Sequence, residues 1–324
     1  MTLQDLKPKK ILAVAGPHDT STAINTALAL AERHEAALDV IACVEPPHDV
    51  SIVARLSGVP PERLIEESVQ RIESEIREKL DQLAPDRDIA LCVSVGKSYL
   101  EIIHHVARNN CDFVVKKADP LIRMDRFFFA STDQHLLRKC PCPVWLQTHA
   151  AQPRPKRIIA AVDLDIADAS EPETLQVLNR RVLKAAYHVA DEKTAEIVVL
   201  HAWDAFGEGM IWAFSNKGGA RLSADQYVSA LQEARQIEMD RLLNEVRADV
   251  GQGITLVPHL MRGPAEKVIH EQCRALDADV VVMGTVARTG ISGVFIGNTA
   301  ENIINNLECS VLAVKPDGFV SPLL

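Results

Sequence analysis

Short hydrophobic runs alternate with amphipathic stretches along the whole chain. β-branched runs separated by helical periodicity are typical of βαβ units, in which helices cover both faces of a parallel sheet. In the first half the pattern predicts helices over residues 20–34, 61–83, 98–109 and 132–139. The five strands predicted around them are ILAVAG from Ile11, LDVIACVE from Leu38, IALCVSVG from Ile89, CDFVVKK from Cys111 and PVWLQT from Pro143.

The second half repeats this order of elements. Its helices are predicted over residues 174–191, 223–248, 264–276 and 299–307. Its strands are predicted to be RIIAAVD from Arg157, AEIVVLHAW from Ala195, ITLVPHLMRG from Ile254, ADVVVMG from Ala278 and SVLAVKP from Ser310. We therefore expect an α/β protein built from two tandem, doubly wound, parallel five-stranded sheets.

Equal spacings between matching residues indicate that one unit has been duplicated. Three pairs are each 167 positions apart: Asp112 with Asp279, Gly96 with Gly263, and Cys142 with Cys309. Nearer the amino ends of the halves the spacing is shorter, 147 positions from Gly16 to Asp163 and 157 from Asp39 to Glu196. The second copy therefore gained residues after its first and second strands, on the side where open α/β sheets bind ligands.

The segment from Gln152 to Arg157, QPRPKR, is short and polar and contains two prolines, as linkers often do. A chain of 324 residues has room for two domains of ordinary size. We predict an amino-terminal domain over residues 1–151 and a carboxy-terminal domain over residues 152–324.

Composition excludes several classes of protein. The chain has 35 Lys and Arg against 44 Asp and Glu, a net charge of −9, which argues against nucleic-acid binding. No apolar run is long enough for a membrane span or a signal-peptide core. Seven cysteines without a CxxC pair suggest neither a disulfide framework nor a zinc site, so we expect a cytoplasmic protein with no metal centre.

A loop in the second half has features of an anion-binding turn. The strand ADVVVMG leads into a stretch containing Gly284, Gly290, Gly293 and Gly297, and a helix is predicted from Thr299. Glycines allow close approach of backbone N–H groups to an anion at the start of a helix. The spacing fits neither a Walker P-loop nor the GxGxxG fingerprint.

This arrangement resembles the universal stress proteins, whose ATP-binding members have G-x-x-G, nine residues, and then G-S or G-T after the fourth strand. Gly284 matches the first glycine, Ala287 replaces the second, and Gly297 is followed by Asn298. Asp163, which ends the first strand of this half, matches the family's acidic position beside the nucleotide and its metal. With RKCPCPVWL closing the first half, the chain looks like a tandem, UspE-type member of that family.

The resemblance implies an adenine-nucleotide alpha hydrolase-like fold in each half. It also implies that the halves pack as an intramolecular pseudo-dimer through their last strands, PVWLQT and SVLAVKP. A homodimer of whole chains is a further interpretation.

The matching loop of the first half, KKADPLIRMDRFFFAST, has no glycine, and Gly16 replaces the acidic residue of its first strand. Side chains therefore stand where bare backbone is needed, so we predict that this half does not bind ATP. We expect the cations Lys116, Lys117 and Arg126 to form a solvated or ion-paired surface. The run from Phe127 to Phe129 is interpreted as filling the space that a nucleotide occupies in relatives.

For the second half three interpretations stay open: ATP with Mg²⁺, a different ligand such as a partly apolar metabolite, or a loop and helix cap without a ligand. The predicted ligand-binding residues are Asp163, His201, Met283, Gly284, Thr285, Arg288, Gly297, Asn298 and Thr299.

An aromatic-rich segment follows the second strand of this half, and it is too apolar to be a solvated loop, so it should cover something. It either packs over helices or the first half, or forms a lid over a cleft for a partly apolar ligand. Its apolar residues are Trp203, Phe206, Met210, Trp212 and Phe214.

No catalytic set is visible, since there is no G-x-S-x-G elbow and no histidine with a nearby nucleophile in a recognisable motif. Our hypothesis is a stress-response protein that acts by small-ligand binding and protein association and not by catalysis. The alternatives are an ATP-binding, weakly hydrolysing protein and a structural interaction module without a ligand.

Overall fold

A computed structural model describes residues 7–16, 21–123, 126–129, 131–148, 151–215, 224–247, 253–285, 297–306 and 309–324. The first half contains five helices: α1 (Thr22–His34), α2 (Val50–Ser57), α3 (Pro61–Leu83), α4 (Ser98–Asn109) and α5 (Ser131–Lys139). Its strands are β1 (Lys10–Ala15), β2 (Ala37–Val44), β3 (Ala90–Val95), β4 (Phe113–Lys117), β5 (Pro120–Arg123), β6 (Arg126–Phe129) and β7 (Val144–Gln147).

The second half contains strands β8 (Arg157–Ala161), β9 (Glu196–Trp203), β10 (Thr255–Arg262), β11 (Val280–Gly284) and β12 (Ser310–Val314). Its helices are α6 (Pro172–Val189), α7 (Glu208–Ser215), α8 (Ala224–Arg247), α9 (Ala265–Ala275) and α10 (Asn298–Asn306), with a 3₁₀ turn at Ile166–Asp168. Every predicted strand and helix is present within a few residues. The sequence pattern missed α2, α7 and the β5–β6 hairpin, which are short.

The two five-stranded sheets join into one ten-stranded sheet with the order β10-β9-β8-β11-β12-β7-β4-β1-β2-β3. Pairing is parallel within each half, and each half is doubly wound with its first strand in the middle. At the junction β7 and β12 pair antiparallel, with Leu312 opposite Trp145. This confirms the prediction that the last strands of the two halves meet within one chain.

Alternate residues of each strand face opposite layers of helices, as expected for strands buried on both sides. On β1, Ile11 and Ala13 belong to one hydrophobic cluster, which also contains Trp145. Leu12 and Val14 belong to the cluster on the other face. Both clusters draw residues from both halves, so the core is continuous across the junction.

Helix ends also join the two halves. Arg33, near the end of α1, donates to the backbone carbonyls of Ala190 and Tyr187, the latter at 3.0 Å, and pairs with the Glu192 carboxylate at 2.8 Å. The ring of His34 lies 2.9 Å from the carbonyl oxygen of His188. These side chains contact the carboxyl end of α6, where cations and donors are favourable.

Residues 151–156 lie in neither helix nor strand, and the boundary between residues 151 and 152 stays a prediction. In the described part of the chain, no helix is both long enough and apolar enough to cross a membrane.

Candidate functional site

The strand order reverses between the first and fourth strands of each half, between β1 and β4 and between β8 and β11. Ligands of open α/β sheets bind outside the carboxyl ends of the strands at such a reversal. The chain therefore has two candidate crevices, one per half, and their residues differ.

Asp163 directly follows β8 and is held by a buried asparagine of α6. Asn179 Nδ2 donates to the carbonyl oxygen of Asp163 at 2.6 Å, and Asn179 Oδ1 accepts from the Asp163 backbone N–H at 3.0 Å. The Asp163 carboxylate accepts from the backbone N–H of Asp165 at 3.1 Å. This hydrogen bonding fixes the loop after β8 with a half-buried carboxylate at the carboxyl edge of the sheet.

His201 is almost completely buried, with 1% of its surface exposed. The backbone N–H of Leu164 and the carbonyl oxygen of Val162 each lie 3.2 Å from His201 Nδ1. On the other side of the ring, Nε2 lies 3.7 Å from Asp165 Oδ1. His201 therefore orders the loop after β8, and a direct contact between its ring and a ligand stays a prediction.

Arg235, from the middle of α8, completes a buried polar cluster with Asp165, His201 and Trp203. Its Nη2 lies 2.6 Å from Asp165 Oδ1, and its guanidinium carbon lies 5.1 Å from the centroid of the Trp203 ring. His201 and Trp203 are two residues apart on β9 and so point to the same face of the sheet.

Three atoms of this cluster are buried donors or ring nitrogens with no hydrogen-bond partner among the described residues: His201 Nε2, Trp203 Nε1 and Arg235 Nε. Buried polar atoms are nearly always satisfied by protein, ordered water or a bound molecule. The cluster is therefore a place where a polar group of a ligand or of water can be accepted.

Gly284 ends β11 beside α6. A Cβ atom at this position would lie 2.6 Å from Leu178 Cδ2, so the glycine allows the helix and the strand to approach closely. Met283, next to it, is buried in the core. Thr285 is also buried; its backbone N–H donates to the Val314 carbonyl at 3.2 Å, and its hydroxyl accepts from Lys315 at 2.9 Å. Met283 and Thr285 therefore have structural contacts inside the protein.

Gly297 is buried and immediately precedes α10. Asn298 and Thr299 form the first turn of that helix, and the positions of their side chains are outside the described structure. Arg288 lies outside the described residues altogether. Their predicted roles toward a ligand stay predictions.

The aromatic-rich segment after β9 is less buried than its apolar composition suggests. Trp203 is the last residue of β9 and is buried, so it belongs to the core. Phe206 is 88% exposed and Met210 is 65% exposed, so the expectation that the segment covers something does not hold for these two residues. α7 carries Trp212 and Phe214, whose side chains are outside the described structure.

In the first half, the carboxyl edge is occupied by an internal ion pair. Lys116 Nζ lies 2.9 Å from Asp133 Oδ1 and 2.6 Å from Asp119 Oδ2. Asp133 stands in the first turn of α5, and its other oxygen accepts from the Asp119 backbone N–H at 2.9 Å. Burial lowers the pKa of Lys116, but the two carboxylates more than reverse this, and the net pKa lies above its ordinary value.

Lys116 was expected on an ion-paired or solvated surface; the ion pairing is present, but the lysine is only 5% exposed. A carboxylate of the protein itself therefore sits at the helix start where an anion would bind. The side chains of Arg126 and of residues 127–129 are outside the described structure, although their backbone forms β6. At the spacing of 167, Lys116 corresponds to Met283 and Asp133 to Ala300, so the second half cannot form this pair.

Sequence reasoning missed Asn179, Asp165, Arg235 and Asp133. The sequence contained a weak indication for Asp165, because this residue lies two positions after the predicted site residue Asp163, in the longer loop of the second copy. Arg235 had none, since it is one of many charged residues in a long helix and only the packing of α8 shows that it is buried.

The duplicated doubly wound halves, joined edge to edge, define a tandem α/β protein with one candidate crevice per half. The chain belongs to the universal stress protein family, whose sequence model matches residues 7–147 and 156–315. It is a tandem member similar to Universal stress protein E.

Two relatives illustrate the similarity. Universal stress protein E of Escherichia coli strain K12 is 31% identical over 229 residues, which are 70% of this chain and 68% of that protein. The Universal stress protein E homolog of Haemophilus influenzae is 26% identical over 321 residues, 96% of this chain and 98% of that protein.

Solved structures support the fold. A functionally unknown protein from Pseudomonas aeruginosa PAO1 aligns with a TM-score of 0.65 and 24% identity over 97% of this chain and 94% of that one. A universal stress protein from Archaeoglobus fulgidus aligns with a TM-score of 0.60 and 15% identity over 94% of this chain and 98% of that one. At these identities the likeness concerns the fold alone.

Proposed function

We propose that the chain is a cytoplasmic stress-response protein that binds a small ligand in its carboxy-terminal domain and acts through protein association, without robust catalysis. The observation that carries this proposal is the difference between the two crevices. The first is closed by the buried Lys116–Asp133 pair. The second has the Asp163 carboxylate at its edge, and the loop that carries it is held by His201, whose Nε2 is a buried nitrogen without a hydrogen-bond partner among the described residues.

The chemistry of the second crevice favours a ligand with both polar and apolar parts. His201 Nε2 and Trp203 Nε1 suit an acceptor group, and the Trp203 ring offers apolar surface on the same face of the sheet. Phe206 and Met210 are large, apolar and exposed, and they offer a surface for association with other proteins.

ATP with Mg²⁺ is the second candidate, favoured by the retained glycines Gly284 and Gly297 and by Asp163, the acidic position that matches the family. In that case the Asp163 carboxylate would lie beside the nucleotide and its Mg²⁺ ion. A ligand-free structural module is the third candidate and predicts no binding at all.

Native mass spectrometry of the freshly purified chain, followed by a thermal-shift panel, separates these candidates. We expect a co-purified ligand or a rise in melting temperature with nucleotide sugars or partly apolar metabolites. A ligand present at 100 times its Kd should add about 2.7 kcal/mol to the free energy of unfolding. A rise with ATP and Mg²⁺ alone would favour the second candidate, and no response to either class would refute ligand binding.

Asp163→Asn tests where the ligand binds, because an asparagine can keep the hydrogen bond from Asp165 while removing the charge. We expect the ligand-induced shift in melting temperature to fall while the melting temperature of the free protein changes little. Asp277→Asn is the matched control, since Asp277 precedes β11 at the opposite edge of the sheet and its side chain is 83% exposed. An equal loss of the shift in both variants would contradict the assignment.

A further inference from the structure

Three side chains of the first half converge at the amino edge of the sheet, opposite the crevices described above. Asp39 lies near the start of β2, His105 lies in α4, and Cys111 precedes β4. One ligand atom from each, Asp39 Oδ2, His105 Nε2 and Cys111 Sγ, lies within 4.8 Å of the other two. From Asp39 Oδ2 the distance is 3.1 Å to His105 Nε2 and 4.0 Å to Cys111 Sγ.

These distances suit a small tetrahedral ion. Zinc binds nitrogen and carboxylate oxygen at about 2.0–2.2 Å and thiolate sulfur at about 2.3 Å, which places neighbouring ligand atoms about 3.3–3.6 Å apart. Because no two of the three atoms are more than 4.8 Å apart, movements of under about 1 Å in each side chain would bring them to that separation. A cysteine ligand disfavours Mg²⁺ and Ca²⁺, which take oxygen ligands, whereas zinc accepts sulfur, nitrogen and oxygen together.

We propose that Asp39, His105 and Cys111 form a Zn²⁺ site, with the fourth coordination position left for solvent or an external ligand. Cys111 binds as the thiolate, so its thiol proton is released to solvent when the metal enters. The carboxylate of Asp39 and the thiolate of Cys111 then balance the charge of the ion, and His105 binds as the neutral imidazole.

Lys10 is the competitor of the metal at this site. Its ammonium lies 3.0 Å from Asp39 Oδ2, the oxygen that also faces His105 and Cys111. The Lys10 side chain is 29% exposed, so it can turn toward water when a cation takes its place. Replacing Lys10 by methionine should therefore strengthen metal binding by a few fold, about threefold for the loss of a partly exposed ion pair.

The second copy of the repeat does not carry this ligand set. At the matching positions it has Glu196, Gln272 and Ala278. One zinc ion per chain is therefore expected. The site is independent of the proposed ligand crevice, because it lies in the other half and at the other edge of the sheet.

The first test is titration of the full-length, chelator-treated chain with ZnCl₂ by calorimetry and with Co²⁺ by absorption spectroscopy. We expect one equivalent to bind, with the d–d bands of tetrahedral Co²⁺ and a thiolate-to-cobalt charge-transfer band. Cys111→Ser should remove the charge-transfer band, and His105→Gln should weaken binding at least about tenfold, since loss of even an outer-shell partner costs 10–100-fold. Cys92→Ser and His104→Gln are the matched controls and should bind like the wild-type chain.

The second test needs no variant and so does not depend on the folding of one. X-ray absorption of the zinc-loaded wild-type chain should show one sulfur at about 2.3 Å and nitrogen or oxygen ligands at about 2.0 Å. A shell with no sulfur would overturn the proposal. Two sulfurs would place the ion elsewhere, for example at Cys140 and Cys142, whose sulfurs lie 3.6 Å apart, and would overturn it equally. Persistence of the thiolate-to-cobalt charge-transfer band in Cys111→Ser would also overturn the proposal.

Discussion

Lys315 connects the two halves through a buried ammonium group, and its removal should have an effect that grows with pH. The residue follows β12 and is 2% exposed. Its Nζ donates to the Leu137 carbonyl, to the Arg138 carbonyl at 3.2 Å and to the Thr285 hydroxyl at 2.9 Å. All three protons of the ammonium therefore have acceptors.

The local sequence explains why a lysine is needed there. Leu137 lies near the end of α5, and the residue that would donate to its carbonyl in a continued helix, four positions later, is Pro141. Proline has no backbone N–H, so this carbonyl has no helical donor. Lys315 supplies the donor from the other half of the chain, at a helix end where positive charge is favourable.

We therefore predict the consequence of Lys315→Met. Burial lowers the pKa of Lys315 from 10.5 to about 8, which corresponds to about 3 kcal/mol for keeping the charged form buried. Three lost hydrogen bonds cost about 1.5 kcal/mol each, or roughly 4–5 kcal/mol together. At pH 7 the loss of hydrogen bonds and the relief of charge burial nearly cancel, and the variant should be about 1 kcal/mol less stable.

The pH dependence follows from the lowered pKa. Below pH 8 the amine is charged in both the folded and the unfolded chain, so the full cost of burial is present. Between pH 8 and 10.5 the folded chain has lost the proton and the unfolded chain still binds it, so the stability contributed by Lys315 rises with pH. The destabilisation by Lys315→Met should therefore grow from about 1 kcal/mol at pH 7 to about 4 kcal/mol near pH 10.5.

Urea unfolding of the wild type and of Lys315→Met at a series of pH values measures the destabilisation at pH 7 and at pH 10.5. Groups that titrate in both proteins cancel in the difference between their free energies of unfolding. Lys267→Met is the matched control, because the side chain of Lys267 is 71% exposed and its loss should stay within about 0.5 kcal/mol at every pH. A difference between wild type and Lys315→Met that is constant or shrinks from pH 7 to pH 10.5 would refute the reasoning.

Two further predictions concern the crevices. Asp133→Asn should lower the free energy of unfolding by about 3 kcal/mol, because the buried Lys116 then keeps only the half-exposed Asp119 carboxylate as a charged partner. Lys116→Met/Asp133→Leu should restore most of this loss in chemical denaturation, and a loss under about 1 kcal/mol for the single variant would contradict a buried pair. Gly284→Ala should lower the free energy of unfolding by about 1–3 kcal/mol through overpacking against Leu178, measured by the same method. Gly209→Ala is the control and should cost nothing, because no atom lies within 4 Å of its new Cβ. Equal effects of the two substitutions would show that the close approach at Gly284 is unimportant.

The sequence determined the architecture because the signals for it are local or repeated. Hydrophobic periodicity located the ten strands of the main sheet, and the spacing of 167 positions showed that the chain contains one unit twice. The family resemblance implied that the last strands of the two halves meet, and β7 and β12 do pair. The short helices α2 and α7 were not predicted, because apolar residues such as Leu56 of α2 and Met210 of α7 face solvent and not the core.

Only the tertiary structure decided which charged residues are buried and what they contact. Lys315 and Leu137 are 178 positions apart, and Asp39 is 66 positions from His105. The sequence does not show whether a lysine or an aspartate is solvated or belongs to a buried pair, because its environment is formed by elements that are distant along the chain. The closing of the first crevice by Lys116 and Asp133, the polar cluster around Arg235 and the three metal-type ligands at the opposite edge are therefore properties of packing, which no local pattern encodes.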